Sequence, residues 1–173
     1  MIRTLALLCV AILFAVPSVR ADDNTMSSKD SKFVMEAIAG GETEVALGKL
    51  AVDKGSSADV KAFGQKMIED HTKANDELKE LAKSKNLDLK KGEDRAIKME
   101  QKNSDKLTKK SGDEFDKAYV DLMVKDHEKD VKDFEKASKD SDDADLKAWA
   151  AKTLPTLQEH LQSIKDIQAK MEK

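Results

Sequence analysis

Apolar side chains recur every three or four residues along four long stretches of this sequence. That spacing places them on one face of an α-helix. The only prolines are Pro17 and Pro155, so three of the four stretches contain no helix breaker. No run of alternating β-branched or aromatic residues, which would predict a strand, occurs in the chain. A composition with 38% charged and 4% aromatic residues agrees with this pattern. The sequence therefore predicts an all-α fold.

Turn and capping residues set the limits of the four predicted helices. They are expected at about residues 31–53, 57–84, 113–137 and 144–173. Short turns join the first helix to the second and the third to the fourth, whereas residues 86–112 connect the second to the third. This segment is long enough to run back along a bundle, and its few apolar residues predict a short surface helix. The sequence thus predicts a four-helix bundle with one long crossover, the connectivity of ferritin-like bundles.

The first 21 residues have the pattern of a secretory signal peptide. Arg3 supplies a positive start, an apolar run follows, and Val19-Arg20-Ala21 offers small residues at a cleavage site. The apolar run is too short to span a membrane. We therefore expect residues 1–21 to be removed, residues 22–30 to be flexible and residues 31–173 to form one helical-bundle domain. The protein is then exported, to the periplasm or the extracellular space.

Composition excludes several classes of function for the chain that follows this segment. Cys9, the only cysteine, lies inside the predicted signal, so the mature chain has neither a disulfide nor a thiolate ligand. Loss of Arg3 and Arg20 with the signal changes the formal net charge from −3 to −5. Such a chain lacks the basic face that nucleic acid requires. We expect no nucleic-acid partner, no membrane span, and a monomer or small homo-oligomer whose partner proteins the sequence does not indicate.

One local pattern occurs twice: an aromatic residue, three residues, Met, a branched aliphatic residue, any residue, Asp and His. It spans residues 63–71 and again residues 119–127. Each copy places its histidine four residues after its methionine, which is one turn away on the same face of a helix. The copies end at His71 and His127, and both histidines fall on the apolar stripes of their predicted helices. The third histidine of the chain, His160, also follows an acid.

Four ionisable side chains fall near the midpoints of the four predicted helices and on their inward faces. They are Glu44, His71, His127 and His160. Midpoints share a layer in an antiparallel bundle, so these groups are expected to converge at one depth. One carboxylate and three imidazoles form a ligand set for zinc, copper(II) or iron(II), which makes them a candidate metal site. The same residues also suit a buried polar layer in which each histidine bonds to an acid of a neighbouring helix.

Met67 and Met123 leave further possibilities open. Thioether and imidazole together form a ligand set for copper(I), and both also serve as axial ligands of haem in helical bundles. Methionine equally fills gaps in apolar cores, and the small residues of the first helix favour tight packing over a haem cavity. The acids that precede the histidines lie at the flanks of the core, where they can bond to histidines of adjacent helices or, for at least one of them, be solvated at the surface. These acids are Asp70, Asp126 and Glu159.

Several motifs of the chain are together typical of one protein family. They include Gly40-Gly41-x-x-Glu44-Val45, Met67-x-x-Asp70-His71-Thr72-Lys73, Met123-Val124-x-Asp126-His127 and Thr153-Leu154-Pro155-x-Leu157-x-x-His160. The mature chain resembles domain of unknown function family 4142 on these motifs. The resemblance implies a ferritin-like bundle and an exported bacterial protein, of a kind often labelled a membrane or outer-membrane protein, with no established biochemical activity. The Glu-x-x-His motif of ferritin-like di-iron sites is absent, so no ferroxidase residues are carried over.

These features predict an exported, non-enzymatic helical bundle that binds a transition metal through its histidine and glutamate layer or acts in envelope stress. A metal-dependent redox enzyme of ferritin-like descent is one alternative. A purely structural or interaction bundle, in which the histidines only set helix register, is another. No catalytic residues are predicted, because the sequence has no serine nucleophile elbow, no phosphate-binding loop and no zinc-protease motif.

Overall fold

The computed structural model of the protein describes residues 25–172. They form five α-helices and, over this range, no strand, so the predicted all-α class is confirmed. The helices are α1 (Ser28–Lys54), α2 (Ala58–Ser84), α3 (Lys90–Leu107), α4 (Gly112–Asp140) and α5 (Ala144–Met171). The predicted signal peptide lies outside the described residues. No helix among residues 25–172 is long and apolar enough to cross a membrane.

The first helix begins three residues earlier than the sequence predicts. Ser27 caps it by accepting a hydrogen bond from the backbone N–H of Asp30, at 3.2 Å. The side chain of Asp30 is buried, at 2% exposure. The end of the segment expected to be flexible, residues 22–30, is therefore helical from Ser28 onwards, because a buried contact holds the first turn in place.

The crossover contains the predicted helix, which is longer than expected. α3 packs mainly on α1 and touches α4. Gly92 and Ala96 are buried on this side, and a Cβ at Gly92 would lie 3.3 Å from the backbone of Met35. Ile97, by contrast, is 62% exposed. Two small residues thus let a mostly charged helix lie close against the bundle with little apolar burial of its own.

Two helical hairpins, α1–α2 and α4–α5, are bound to each other by reciprocal contacts at their turns. The Asp30 carboxylate of α1 accepts hydrogen bonds from Ser141 Oγ and from the backbone N–H groups of residues 142 and 143, at 2.9–3.0 Å. The Asp116 carboxylate of α4 accepts from the backbone N–H groups of Ser56 and Ser57, at 3.0 and 2.7 Å. The start of each hairpin therefore holds the turn of the other.

Replacing Asp30 by Ala is expected to lower the free energy of unfolding by about 2 kcal/mol, because it leaves three donors of the α4–α5 turn without their acceptor. Urea unfolding at pH 7, followed by circular dichroism, measures the loss. Asp53→Ala is the control, since Asp53 is exposed on the same helix. An equal effect of the two substitutions would contradict a role for Asp30 in holding the turn.

The two hairpins are also equivalent in sequence. Asp116 lies 86 positions after Asp30, and the same offset relates the end of α1 to the end of α4 and the start of α2 to the start of α5. The segments Ala58-Asp59-Val60-Lys61-Ala62-Phe63 and Ala144-Asp145-Leu146-Lys147-Ala148-Trp149 match across this offset. The chain is therefore a repeat of one hairpin. The repeat read from residues 63–71 and 119–127 relates α2 to α4, which are not equivalent helices in this arrangement.

Apolar side chains form two clusters, and the midpoints of the four long helices lie between them. One cluster includes Leu47, Phe63, Met67, Tyr119, Met123 and Ile164. The other includes Val34, Ile38, Leu78, Phe134, Trp149 and Leu157. On each helix the candidate site residue lies between a member of the first cluster and a member of the second. The polar layer is consequently enclosed by apolar packing at both ends.

The inward face of α1 is wide. Its small residues Gly41, Gly48 and Ala51 are buried together with Glu44, and Val34, Ile38 and Leu47 are fully buried beside them. Phe33 and Ala37 are half-buried. The reason is that α1 packs against α2, α3 and α4, so a larger part of its circumference is covered than in a helix with two neighbours.

Close contact between α1 and α2 depends on two facing glycines. A Cβ at Gly64 would lie 2.8 Å from the carbonyl oxygen of Gly48 and 2.9 Å from Ala51 Cβ, whereas a Cβ at Gly40 would have no atom within 4 Å. We expect Gly64→Ala to lower the free energy of unfolding by about 1–2 kcal/mol, because separating the helices outweighs the gain in helix propensity.

The matched control for this prediction is Gly40→Ala. It adds the same methyl group to open space on a helix and is expected to stabilise the protein by about 1 kcal/mol. Thermal or urea unfolding of both variants provides the comparison. Stabilisation by Gly64→Ala would show that the two helices are not in the close contact described.

Candidate metal centre

The structure brings all four predicted site residues together in the layer between the apolar clusters. Glu44 is 2% exposed, His71 6%, and His127 and His160 are fully buried. The centroids of the three imidazole rings lie 5.4–5.7 Å apart. Glu44 Oε2 lies 3.1 Å from His71 Nδ1, and Glu44 Oε1 lies 3.4 Å from His127 Nδ1. The predicted convergence at one depth is therefore seen in the geometry.

Each imidazole has one nitrogen turned towards an acceptor. His127 Nδ1 donates to the backbone carbonyl oxygen of Met123 at 3.0 Å. His160 Nε2 donates to Asp70 Oδ2 at 2.8 Å. His71 Nδ1 faces the Glu44 carboxylate. A ring that donates from one nitrogen keeps a lone pair on the other, so these contacts orient the rings and select their tautomers.

The remaining ring nitrogens have no hydrogen-bond partner. They are His71 Nε2, His127 Nε2 and His160 Nδ1, and all three are buried. One nitrogen from each ring lies within 4.8 Å of a nitrogen from each of the others. Buried acceptors normally find a donor or a cation. Three neutral imidazole lone pairs brought this close are suited to share a metal ion. We call His71, His127 and His160 the histidine triad.

The other residues named from the sequence have different positions. Met67 and Met123 are fully buried in the first apolar cluster, among residues such as Leu47 and Phe63. Asp70 bonds to the histidine of an adjacent helix, as the sequence allowed for the acids that precede the histidines. Asp126 and Glu159 form no such bond. Asp126 is half-buried and lines a cavity between α1, α3 and α4, and Glu159 is exposed.

Burial lowers the pKa of all three histidines. Desolvation is the main cause in each case, and repulsion between the rings adds to it for His71 and His127. The pKa of His127 falls to about 4 and that of His71 lies well below its usual value. The Asp70 carboxylate partly offsets the lowering of the pKa at His160. The triad is therefore neutral at pH 7, the form in which imidazole binds metal.

Glu44 also meets a second acid, Asp130 of α4. The two carboxyl groups lie within hydrogen-bonding reach of each other. Although His71 Nδ1 and His127 Nδ1 lie near, neither Glu44 oxygen makes a well-aligned hydrogen bond with them. Desolvation is the largest cause that raises the pKa of both groups, and nearby acids add to it. The pKa of Glu44 lies well above its ordinary value, and that of Asp130 rises to about 7.

The sequence interpretation did not identify Asp130, although the repeat contains the signal for it. Asp130 lies 86 positions after Glu44, the offset that relates the two hairpins. The two acids are thus equivalent residues of the repeat that face each other between α1 and α4. The histidines have no such counterparts, because the equivalent positions hold Gly41, Ala74 and Leu157. The imidazole set therefore occurs once.

A small cavity of about 30 Å³ adjoins the triad. Its lining includes Glu44, Asp130, His71 and His160 together with the three residues equivalent to the histidines. Space of this size accommodates a water molecule. A metal bound by three imidazoles needs a further ligand to complete its coordination, and a water or the neighbouring carboxylate can supply it.

The chain matches the model of the family described as a domain of unknown function, DUF4142, over residues 15–167. No curated protein matches it significantly. Among solved structures it is similar to the crystal structure of a DUF305 fragment from Deinococcus radiodurans, with a TM-score of 0.72 at 10% sequence identity. That match covers 84% of this chain and 99% of that chain, and it shows a shared fold. Because the family model spans most of the chain, as the sequence motifs predicted, the protein belongs to the DUF4142 family.

Proposed function

We propose that the protein is a metal-binding bundle in which His71, His127 and His160 hold one divalent transition-metal ion. Two observations support this most directly: each histidine has one buried ring nitrogen without a hydrogen-bond partner, and one nitrogen of each ring lies within 4.8 Å of a nitrogen of each other ring. Buried polar atoms normally have a partner, so one unpartnered nitrogen on each of three neighbouring rings favours a shared ligand. Neutral imidazoles favour zinc, copper(II) or iron(II).

In this proposal the carboxylates support the ligands. Glu44 lies against the Nδ1 atoms of two histidines, and Asp70 accepts from the Nε2 of the third. Carboxylates in such positions raise the basicity of imidazole ligands and fix their rings. Glu44 was predicted from the sequence as a ligand; here it serves as an outer partner and neutralises part of the charge of the ion. Met67 and Met123 fill the core.

The wider context of the proposal is a ferritin-like bundle of four long helices that acts outside the cytoplasm. Four long helices and one crossover helix fit that layout. The pattern of residues 1–21 favours export. We favour metal binding over an enzymatic role, because three neutral imidazoles that each keep one unpartnered nitrogen form a ligand set for a metal ion.

Metal titration of the full mature chain tests the proposal. Calorimetry with Zn²⁺ and visible spectroscopy with Co²⁺ are expected to show one equivalent bound, with the Co²⁺ bands of a site rich in nitrogen ligands. His160→Ala is expected to weaken Zn²⁺ binding at least about 100-fold and Asp70→Asn about 10-fold, since the first removes a ligand and the second only its partner.

Glu159→Gln is the matched control, because it changes an exposed acid next to His160 and is expected to leave Zn²⁺ binding unchanged. Circular dichroism of each variant checks that it folds. If the folded wild-type chain takes up neither Zn²⁺, Cu²⁺ nor Co²⁺ at micromolar concentration, the triad is a structural layer that sets helix register and the proposal is wrong.

A further inference from the structure

A second pocket lies in the groove between α2 and α5, outside the cavity that adjoins the histidine triad. Its volume is about 110 Å³, and we call it the outer pocket. Four residues line both the outer pocket and the cavity beside the triad: Asp70, Ala74, Thr153 and Thr156. All four are half-buried, and three of them have short side chains. They form a thin wall between the surface of the bundle and the triad.

Asp70 connects the two sides of this wall. Its side chain is 32% exposed, yet its Oδ2 atom accepts from His160 Nε2 at 2.8 Å. On the outer side the same carboxylate pairs with Lys66, at 3.0 Å. One carboxylate therefore reaches from the outer pocket to a member of the triad.

The contacts at the mouth of the outer pocket are weak. Lys152 of α5 pairs with Glu77 of α2 at 2.9–3.0 Å, and both residues line the pocket. Exposed ion pairs contribute little to stability, so this contact opens readily. Lys73 and Asp70 complete the charged lining, and two lysines balance two acids. Pro155 also removes one backbone hydrogen bond from α5 beside this pocket.

The opposite side of the bundle is more closed. There α3 packs on α1 and touches α4, and no helix covers the α2–α5 side in this way over residues 25–172. The cavity between α1, α3 and α4 meets the cavity beside the triad at Glu44 and Asp130. These two acids lie within hydrogen-bonding reach of each other and close that side. Within each hairpin the two helices are in extensive contact.

We propose that the metal ion enters and leaves the histidine triad through the outer pocket, between α2 and α5. This inference rests on the proposed function and adds the route to it. The outer pocket holds several water molecules, whereas the cavity of about 30 Å³ beside the triad holds one or two. A hydrated divalent ion therefore loses most of its water at the shared wall. The Asp70 carboxylate and the threonine hydroxyl groups are the oxygen atoms that replace this water.

The kinetics of Co²⁺ exchange test the route. Stopped-flow mixing of the folded mature chain with Co²⁺ measures uptake through the visible bands, and a chase with excess EDTA measures release. Thr156→Phe enlarges a side chain of the shared wall and is expected to lower both rate constants at least about 10-fold. A barrier on the route slows entry and release equally, so the affinity should stay within about 2-fold of the wild-type value. Thr156→Leu is a smaller change that should give intermediate rates, and circular dichroism checks the folding of both variants.

Gly40→Phe is the matched control, because Gly40 lines the cavity on the opposite side and a Cβ there has no atom within 4 Å. This variant should exchange Co²⁺ at the wild-type rates. Unchanged rates in Thr156→Phe would overturn the route, as would slower uptake in Gly40→Phe. A change in the release rate of Thr156→Phe without a change in uptake would also overturn it. A wild-type chain that binds no Co²⁺ at equilibrium would instead overturn the proposed function, and the route with it.

Discussion

Replacing Asp130 by Asn is expected to stabilise the metal-free protein at pH 8, by about 3–4 kcal/mol. The folded protein raises the pKa of this carboxyl group from 3.8 to about 7, chiefly through desolvation. An acid whose pKa is raised on folding contributes stability below its unfolded pKa and loses it as the pH rises through the folded pKa. A tenfold change in an ionisation constant corresponds to about 1.4 kcal/mol. Because the carboxyl group is ionised at pH 8, the full free-energy cost of burying its charge lowers the stability of the wild type at that pH.

The amide has the shape of the carboxyl group but cannot ionise. Its NH₂ group can also donate to a Glu44 oxygen, which has no donor in the wild-type chain. Both effects favour the variant at high pH. At pH 4, where Asp130 of the wild type is protonated, the two proteins should have nearly the same stability. The difference in stability should therefore grow between pH 4 and pH 8.

Urea unfolding in EDTA across this range of pH measures the difference. Asp76→Asn is the control, because it removes an equal charge from an exposed position of α2. It should change the free energy of unfolding by about 0.5 kcal/mol or less at every pH. Destabilisation by Asp130→Asn at pH 8 would contradict this prediction. It would mean that other groups of the folded chain stabilise the Asp130 carboxylate and that its proximity to Glu44 does not lower the free energy of unfolding.

The helices could be predicted from the sequence because their signals are local. Capping residues and glycine turns placed α2, α4 and α5 within a few residues of their observed bounds. The start of α1 was placed too late, because Asp30 is fixed by backbone groups of the α4–α5 turn, more than 100 residues away along the chain. Spacing along a helix carries no information about such a contact.

The site was predictable in part for the same reason. Helix midpoints placed Glu44 and the histidine triad in one layer, but the direction of each ring depends on contacts between helices. Only the structure shows that Glu44 lies on the Nδ1 side of His71 and His127, away from their unpaired nitrogens. Asp130 lies three residues after His127 and four before Phe134, so helical spacing puts it on the inward face of α4. A charged residue in a helix rich in Lys, Asp and Glu carries no sign of that position by itself, and comparison with Glu44 across the hairpin repeat supplies it.

The carboxylate pair and the triad have opposite effects on stability as the pH changes. The acids favour the folded state at low pH, whereas the neutral histidines favour it at high pH, since their pKa values are lowered by burial. We therefore expect the stability of the metal-free chain to pass through a maximum near neutral or mildly acidic pH. A divalent ion bound by the triad would be attracted by the acids. Bound metal should therefore reduce the loss of stability that ionisation of Glu44 and Asp130 causes.

Replacing His127 by Leu is expected to reduce the acid-induced loss of stability by about 3 kcal/mol. His127 is fully buried, and its pKa falls from 6.5 in the unfolded chain to about 4 in the folded protein. A base whose pKa is lowered contributes stability that is present above the unfolded pKa and is lost as the pH falls from 6.5 to 4. Leucine has a similar volume and takes up no proton, so its contribution does not change with pH.

The quantity to compare is the change in the free energy of unfolding between pH 7 and pH 4, measured in EDTA for both proteins. Because both chains keep Glu44 and Asp130, the opposite pH dependence of these acids largely cancels in the comparison. The chain has only three histidines. His71 and His160 therefore account for the stability that the variant still loses at pH values above those at which ordinary carboxyl groups titrate.

Zn²⁺ provides a second check: it should stabilise the wild type at pH 7 and lose this effect towards pH 5, because protons compete for the ring nitrogens. An unchanged acid dependence in His127→Leu would show that this imidazole is accessible to solvent in the folded state, and a neutral, metal-ready triad would then be excluded.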